Sequence, residues 1–546
     1  MARQTKTLPK TKSPKPNKDV FVFNQSRPSR RALPCVSMIF RRDFRGKRHD
    51  VNVVMRLIVV VFFLASPSLV TGVVEPVSHS VSRLRDVDVD VAAEAESLSD
   101  YVVAIRRELH QKPELMWGEF VTSAVVKREL DLMNVPYEDI ASPGVVGRVG
   151  TGFGPAVLLR ADMDALPVFE KSDPAFFPAH LRSQTPGVMH ACGHDGHVAM
   201  LLGAAKLLKR HEGLLNGTVY LAFQPAEEGG AGARTMLESG LLELTPPINV
   251  AFAIHNWPYP STKSGVIGTR SGVIMAGSAA FEILVQQEPE TKDTADVVVC
   301  VASVITALQM FTSRSTDPLD SALITVAVVD TSSSGNSSNH GGSFSHQFTL
   351  PGASDVAYSS TARLLGQFHC TDVYTFANAF GKIETIATLA GHTHGCSVTV
   401  DFEPEVGTTR VSGGSGGARG VSGVTRSIKR AHYPPTVNDP SVVESVIKVA
   451  TEMFGANSVA PDVDPVMPGE DFGFFAQTWP SAMAWLGTYS PEKGAVFPLH
   501  SARYVLDEDV LHVGVAMHVG VAMELISASL GVGERSEGEP RTRDEL

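Results

Sequence analysis

Residues able to do chemistry cluster at four places in this chain, and three of those clusters directly follow short apolar runs. Ala156–Leu159 leads into Arg160-Ala161-Asp162-Met163-Asp164, Thr218–Phe223 into Gln224-Pro225-Ala226-Glu227-Glu228, and Ile248–Ile254 into His255-Asn256-Trp257. Between the first two, His190-Ala191-Cys192-Gly193-His194-Asp195-Gly196-His197 sets a thiol and three imidazoles just ahead of a helix candidate. Each piece alone has a plain structural explanation: a small core cysteine, a hydrogen-bonded loop histidine, a solvated Glu pair, Asp residues forming turns. Jointly they are the donors of a metal centre, which needs thiolate, neutral imidazole and carboxylate converging from separate segments.

For these groups to meet, the three runs must be neighbouring strands that end on one edge. All three are nearly all apolar rather than alternating, as expected of strands covered on both faces. An Ala-, Leu- and Met-rich stretch from Gly196 to Lys209 predicts a helix between the first two. Alternating strands and helices predict an α/β fold with a mostly parallel sheet, in which ligands bind beyond the carboxyl ends of the strands. Another helix is predicted from Ser99 or Asp100 as cap, with Val102, Ile105 and Leu109 on its apolar face. The middle of the chain reads differently. It holds helix candidates at Ala295–Phe311 and Ala377–Gly391, a strand at Ser397–Phe402, and low-complexity stretches at 331–346 and 412–420. A helix at Ser441–Phe454 and a strand at Ala482–Leu486 then restore the α/β pattern. This order predicts a catalytic domain in two parts, 95–275 and 431–530, around an inserted smaller α+β domain at 276–430 that serves as lid or dimerisation element.

At 546 residues and 43% apolar composition, the chain is too long and too hydrophobic to be wholly disordered. Its five cysteines, Cys35, Cys192, Cys300, Cys370 and Cys396, are too few and too scattered for a disulfide framework. Residues 1–50 hold 14 Lys and Arg against Asp19, Asp43 and Asp50, so the rest of the chain carries −22 of a net charge of −11. So acidic a body argues against nucleic acid as a partner. Residues 1–54 read as a disordered basic leader. Residues 55–74 read as signal peptide-like, with Arg56 ahead of the apolar run Leu57–Leu64. That run falls short of the ~20 residues a membrane span needs, so no stable span is expected. The tail at 531–546 ends in Arg543-Asp544-Glu545-Leu546, which resembles signals that return proteins to the endoplasmic reticulum. Asn216-Gly217-Thr218 and Asn336-Ser337-Ser338 are glycosylation acceptors for that compartment. The expected location is the endoplasmic reticulum lumen.

A set of ordered motifs gives the chain a family resemblance. They are Arg107-Glu108-Leu109-His110 with Pro113-Glu114-Leu115, Leu159–Pro167, Met189–His197, Phe223–Glu228 and Ala253–Asn256, then Tyr433–Asp439, Gly469-Glu470-Asp471-Phe472 and Leu499-His500. With them the chain resembles the amidohydrolase branch of the aminoacylase/carboxypeptidase metallopeptidases, and within it the plant-type indole-3-acetic acid–amino acid hydrolases. The resemblance implies two divalent metal ions bridged by Cys192, with His194, Glu228, His255 and His500 as further ligands. It implies Glu227 as the general base that takes a proton from water and returns it to the leaving amine. Asp164 and Asp195 are candidates for orienting imidazoles, while the family pattern leaves His190 and His197 in support. The resemblance points to manganese; a thiolate ligand leans towards zinc.

One stretch departs from the family. Relatives carry a Gly-Gly-His-Ala-type loop at the start of the insert, whose His stabilises the oxyanion, often across a dimer. Here Phe281–Val285 runs into Gln286-Gln287-Glu288-Pro289-Glu290 without it. Arg363 lies near the position of a substrate-facing arginine in relatives, and His340 and His346 are candidate substitutes for the missing histidine. The expected activity is metal-dependent hydrolysis of the amide of N-acyl amino acid conjugates, of the auxin–amino acid type. The alternatives are deacylation of N-acetyl or N-benzoyl amino acids, hydrolysis of small peptides, or, in another class, a catalytically weak binding protein with an altered lid. Relatives imply a monomer or a homodimer.

Overall fold

The computed structural model describes residues 90–291, 295–331, 360–411, 424–429 and 431–532. The basic leader, the signal-like segment, the Arg543–Leu546 ending, most of both low-complexity stretches, and with them Asn336, His340 and His346, lie outside the described residues.

After helices α1 (Val91–Glu96), α2 (Ser99–Gln111) and α3 (Phe120–Leu132), the chain lays down strands β1 (Tyr137–Asp139), β2 (Val145–Gly150) and β3 (Ala156–Asp162). Helix α4 (His194–Arg210), β4 (Thr218–Gln224), α5 (Gly232–Glu238), β5 (Val250–Trp257), β6 (Ile267–Gly268) and β7 (Gly272–Met275) follow. The insert runs from β8 (Gly277–Gln287) through α6 (Val297–Arg314), β9 (Leu323–Asp330), β10 (Thr361–Cys370), α7 (Val373–His392), β11 (Cys396–Asp401), β12 (Glu405–Val411) and β13 (Val424–Lys429). The chain then returns through β14 (Thr436–Asn438), α8 (Pro440–Phe454), β15 (Val459–Ala460), α9 (Gly473–Thr478), β16 (Ser481–Gly487) and α10 (Leu511–Val532).

Eight strands form the main sheet, in the order β1-β2-β4-β3-β5-β16-β6-β15. Its centre, β4-β3-β5-β16, is parallel throughout, as the apolar runs predict. Every residue of these four strands is buried. Alternate residues explain why. Val157, Leu159, Val219, Leu221 and Phe252 pack towards α2, α4 and α10, while Leu158, Tyr220, Ala222, Ala253 and Trp485 face Ala233, Met236 and Phe475 of α5 and α9 on the other side. Helix α10 is long and apolar enough to cross a bilayer, but it is mostly buried as part of this core.

The insert has a four-stranded antiparallel sheet, β11-β8-β10-β9, backed by α6 and α7. Helix α7 starts four residues before its predicted Ala377 because Asp372 accepts the Thr375 N–H and caps it there. Helix α2 starts at Ser99, but neither Ser99 nor Asp100 caps it: Leu98 occupies the cap without a side-chain bond. The cysteines build no framework among the described residues, but one pair is bonded. Cys300 of α6 and Cys396 of β11 form a disulfide that closes 96 residues of the insert, while Cys192 and Cys370 are free and buried. Scatter along the chain hid a pair that the sheet order brings together.

Candidate metal centre

Strands β3, β4 and β5 all point their carboxyl ends at one edge of the sheet, in register Asp162↔Gln224 and Arg160↔Ala253. The Cys192 loop sits over that edge, where Gly193 caps α4. Gly193 has φ +82°, and a Cβ there would lie 2.5 Å from the Asn256 amide and 2.7 Å from the Tyr504 hydroxyl, so only glycine fits. Asn256 Nδ2 donates to Cys192 O at 2.9 Å and Tyr504 donates to Asn256 Oδ1, which fastens the loop to β5.

This edge brings the five proposed ligands together. Donor atoms of Cys192, Glu228 and His500 lie within 4.8 Å of one another, as do those of His194, Glu227 and Glu228, and those of Asp162, His194, His197 and His255. His255 Nε2 is 3.5 Å from Cys192 Sγ, and His500 Nε2 is 3.2 Å from Glu228 Oε1. His500 is reached from far along the chain; it takes φ +65° and its N–H donates to Ala191 O at 2.8 Å.

Tautomers sort the imidazoles. His255 Nδ1 donates to Asn256 O at 2.8 Å and His194 Nδ1 to Asp164 Oδ1 at 3.3 Å, which turns both Nε2 atoms into the site. His194 Nε2 is buried with no hydrogen-bond partner among the described residues. His197 has no such freedom: Nδ1 bonds Asp162 Oδ1 at 2.5 Å, and Nε2 accepts from Asn256 N at 3.0 Å and Nδ2 at 2.6 Å. It braces His255 from behind. His190 is buried and neutral, its pKa lowered to about 3 by burial and then by the cations around it, and its ring stands beside His110.

Asp164 orients His194 as expected, and it also accepts the N–H groups of Glu227 and Glu228 at 3.1 and 2.9 Å. Asp195 does not orient a proposed ligand. It takes His110 Nδ1 at 2.7 Å and Arg106 Nε at 2.9 Å, and so pins α2 to α4. Arg363 does not face this site; its guanidinium pairs with Glu282 across the lid sheet at 2.5 Å.

Several residues that hold the site were not nominated by the sequence. Arg160, fully buried, donates to Asp162 at 2.7 Å, Glu470 at 2.8 Å, Asp471 at 3.0 Å and Gln224 at 2.9 Å. Glu119, also buried, accepts the Ala226 N–H at 2.8 Å. A charged residue inside an otherwise apolar strand, as at Arg160, was the available signal. Glu119 gave none, because its partner lies far away in sequence, and Tyr433 entered only as part of the motif Tyr433–Asp439, with no role attached.

The electrostatics suit bound cations. Burial opposes charge on His194, yet Asp162 and Asp164 raise its pKa to about 10. Burial, then Glu228 and Glu227, push the Cys192 thiol well up, so a thiolate here requires a cation. Burial and the carboxylates of Glu470, Glu228, Asp471 and Asp164 raise Glu227 well above the usual range. An imidazole nitrogen without a hydrogen bond among the described residues, a thiol and carboxylates in a negative field fit a metal pair.

The chain is similar to several known proteins. The model of peptidase family M20/M25/M40 matches residues 158–524. The chain is 32% identical over 488 residues to "IAA-amino acid hydrolase ILR1-like 4" of Arabidopsis thaliana, covering 88% of this chain and 98% of that protein. To "Thermostable carboxypeptidase 1" of Saccharolobus solfataricus it is 32% identical over 437 residues, covering 78% and 96%. Among solved structures it is similar to a putative aminohydrolase of methicillin-resistant Staphylococcus aureus, with TM-score 0.64, 25% identity and coverage of 80% of this chain and 99% of that one. The fold is also that of the Bacillus subtilis YXEP protein, described as a dinuclear metal binding peptidase from the M20 family, with TM-score 0.59, 24% identity and coverage of 79% and 99%.

Proposed function

The chain belongs to peptidase family M20/M25/M40, and from that premise we propose that it hydrolyses the amide bond of N-acyl amino acid conjugates, those of auxin first among them. One observation carries the reading: a thiol, imidazoles and two adjacent carboxylates are assembled at one sheet edge in overlapping groups, with His194 Nε2 buried and without a hydrogen-bond partner among the described residues.

Cys192, His194, Glu228, His255 and His500 would hold the metal pair, which when bound polarises the amide carbonyl and acidifies the attacking water. Glu227 has the environment of a proton carrier. Its raised pKa makes it a stronger base than an exposed carboxylate, suited to take a proton from water and hand it to the departing amine. Asp164 fixes its direction through the backbone, since one carboxylate accepts the N–H groups of both Glu227 and Glu228 and lets their side chains diverge. Manganese is the proposed occupant on the resemblance, and zinc competes through the softness of Cys192.

The signal-like start, the Arg543–Leu546 ending and the Cys300–Cys396 disulfide support residence in the oxidising lumen of the endoplasmic reticulum. Purified protein loaded with manganese or with zinc, assayed on indole-acetyl, benzoyl and acetyl amino acids, tests the function. Release of amino acid is expected only with metal, strongest for indole-acetyl conjugates, and lowered about 1,000-fold or more in Glu227→Gln with metal content unchanged. Turnover without metal, or a fully active Glu227→Gln enzyme, would refute it.

A further inference from the structure

The turn that carries Glu227 and Glu228 is gripped from the segment that returns from the lid as well as from its own sheet. Tyr433 lies where the chain comes back from the insert, and Ser278 where it leaves. Their backbones pair, Tyr433 N–H to Ser278 O at 2.6 Å and Ser278 N–H to Tyr433 O at 2.9 Å, so the two crossings form one hinge. The Tyr433 side chain is 6% exposed and packs beside Ala231, Ala431 and Phe474. Its hydroxyl donates to Glu227 O at 2.5 Å and accepts from the N–H groups of Gly229 and Ala231 at 2.8 and 3.2 Å. That uses the one donor and both lone pairs of a phenol. The turn needs such a grip, because Ala226 and Ala231 sit at φ +56° and +50°, where residues with a Cβ stay only if their surroundings hold them.

We propose that Tyr433 is a positioning residue for the hydrolysis: it ties the turn bearing the base to the lid hinge, so that seating the lid and aiming Glu227 are one event. This rests on the assignment of Glu227 as the base. A second lid contact lands on the same neighbourhood. His369 of β10 donates Nδ1–H to Met467 O at 2.8 Å, just ahead of Glu470 and Asp471, whose donor atoms lie within 4.8 Å of those of Glu227.

Tyr433→Phe in the full-length protein keeps the ring and removes the three hydrogen bonds. In the metal-loaded form kcat is expected to fall about 10- to 100-fold while KM moves less than about threefold and metal stoichiometry holds. In the metal-free form, amide exchange is expected to accelerate at Gly229 and Ala231 but not in the lid core. In a Glu227→Gln background the same change is expected to cost less than about threefold more, since groups that act as a unit are not additive. Unchanged kcat and exchange in Tyr433→Phe, beside an inactive Glu227→Gln enzyme, overturn this proposal alone. A full multiplicative loss in the double variant overturns it too, as a merely structural role would give that result. A fully active Glu227→Gln enzyme overturns the base assignment and this proposal with it.

Discussion

Strand β4 buries all seven of its residues, whereas β10 buries every second one. The first lies between two helical layers, the second has helices on one side only. The difference decides where charge can sit. In the lid, ionic side chains turn outwards, as Arg363 and Glu282 do in a half-exposed pair worth at most ~1 kcal/mol. In the main sheet a charge has no outward direction, so Arg160 is buried with three carboxylates around it, and breaking such a cluster is far more costly. The catalytic edge is therefore held by complementary charge, and the lid by apolar packing and one covalent tie.

Arg160→Met strikes hardest at that contrast. It strands Asp162, Glu470 and Asp471 without their cation, and about 3–5 kcal/mol of stability should go, together with activity, as read by denaturant titration and turnover. A variant as stable as the parent would show that the edge is not held by charge. The converse applies to the lid. Replacing Cys300 and Cys396 with Ala should cost about 2–4 kcal/mol in the transition that unfolds the insert, and leave metal stoichiometry as it was. Reductant should reproduce the loss in the parent and do nothing further to the variant.

A third test separates the two regions by pH. His518 of α10 is buried against Phe252 of β5, and burial, then His197, lowers its pKa from 6.5 to about 3. The unfolded chain binds that proton below pH 6.5 and the folded chain refuses it. This contribution to stability is thus present above pH 6.5 and lost at up to about 1.4 kcal/mol per unit as pH falls towards 3. His518→Leu should flatten the stability curve of the catalytic core between pH 6 and 4, and an unaltered slope would remove His518 from the account.

The same contrast explains what could be read from sequence. All-apolar runs ending in polar clusters identify buried parallel strands and their active edge, because both signals are local. His197 shows the limit. By residue type it is as good a ligand as His194, and only Asn256, in another strand, takes up its Nε2. Glu119 and Tyr433 hold the catalytic turn across 107 and 206 residues, and Cys300 meets Cys396 across 96. No local pattern encodes such pairings. In the lid, the strand expected at Ser397–Phe402 is found as β11, but β9 and β10 went unread, and which edge each helix covers depends on the order β11-β8-β10-β9.

His500 is anchored to Ala191 by its backbone and completes the proposed donor ring from near the end of the chain. A polypeptide still emerging from the ribosome would thus offer an ion the donors around Cys192 but no lid to the coordination sphere. If His500 is a ligand, a chain that stops short of it lacks one of the five proposed donors.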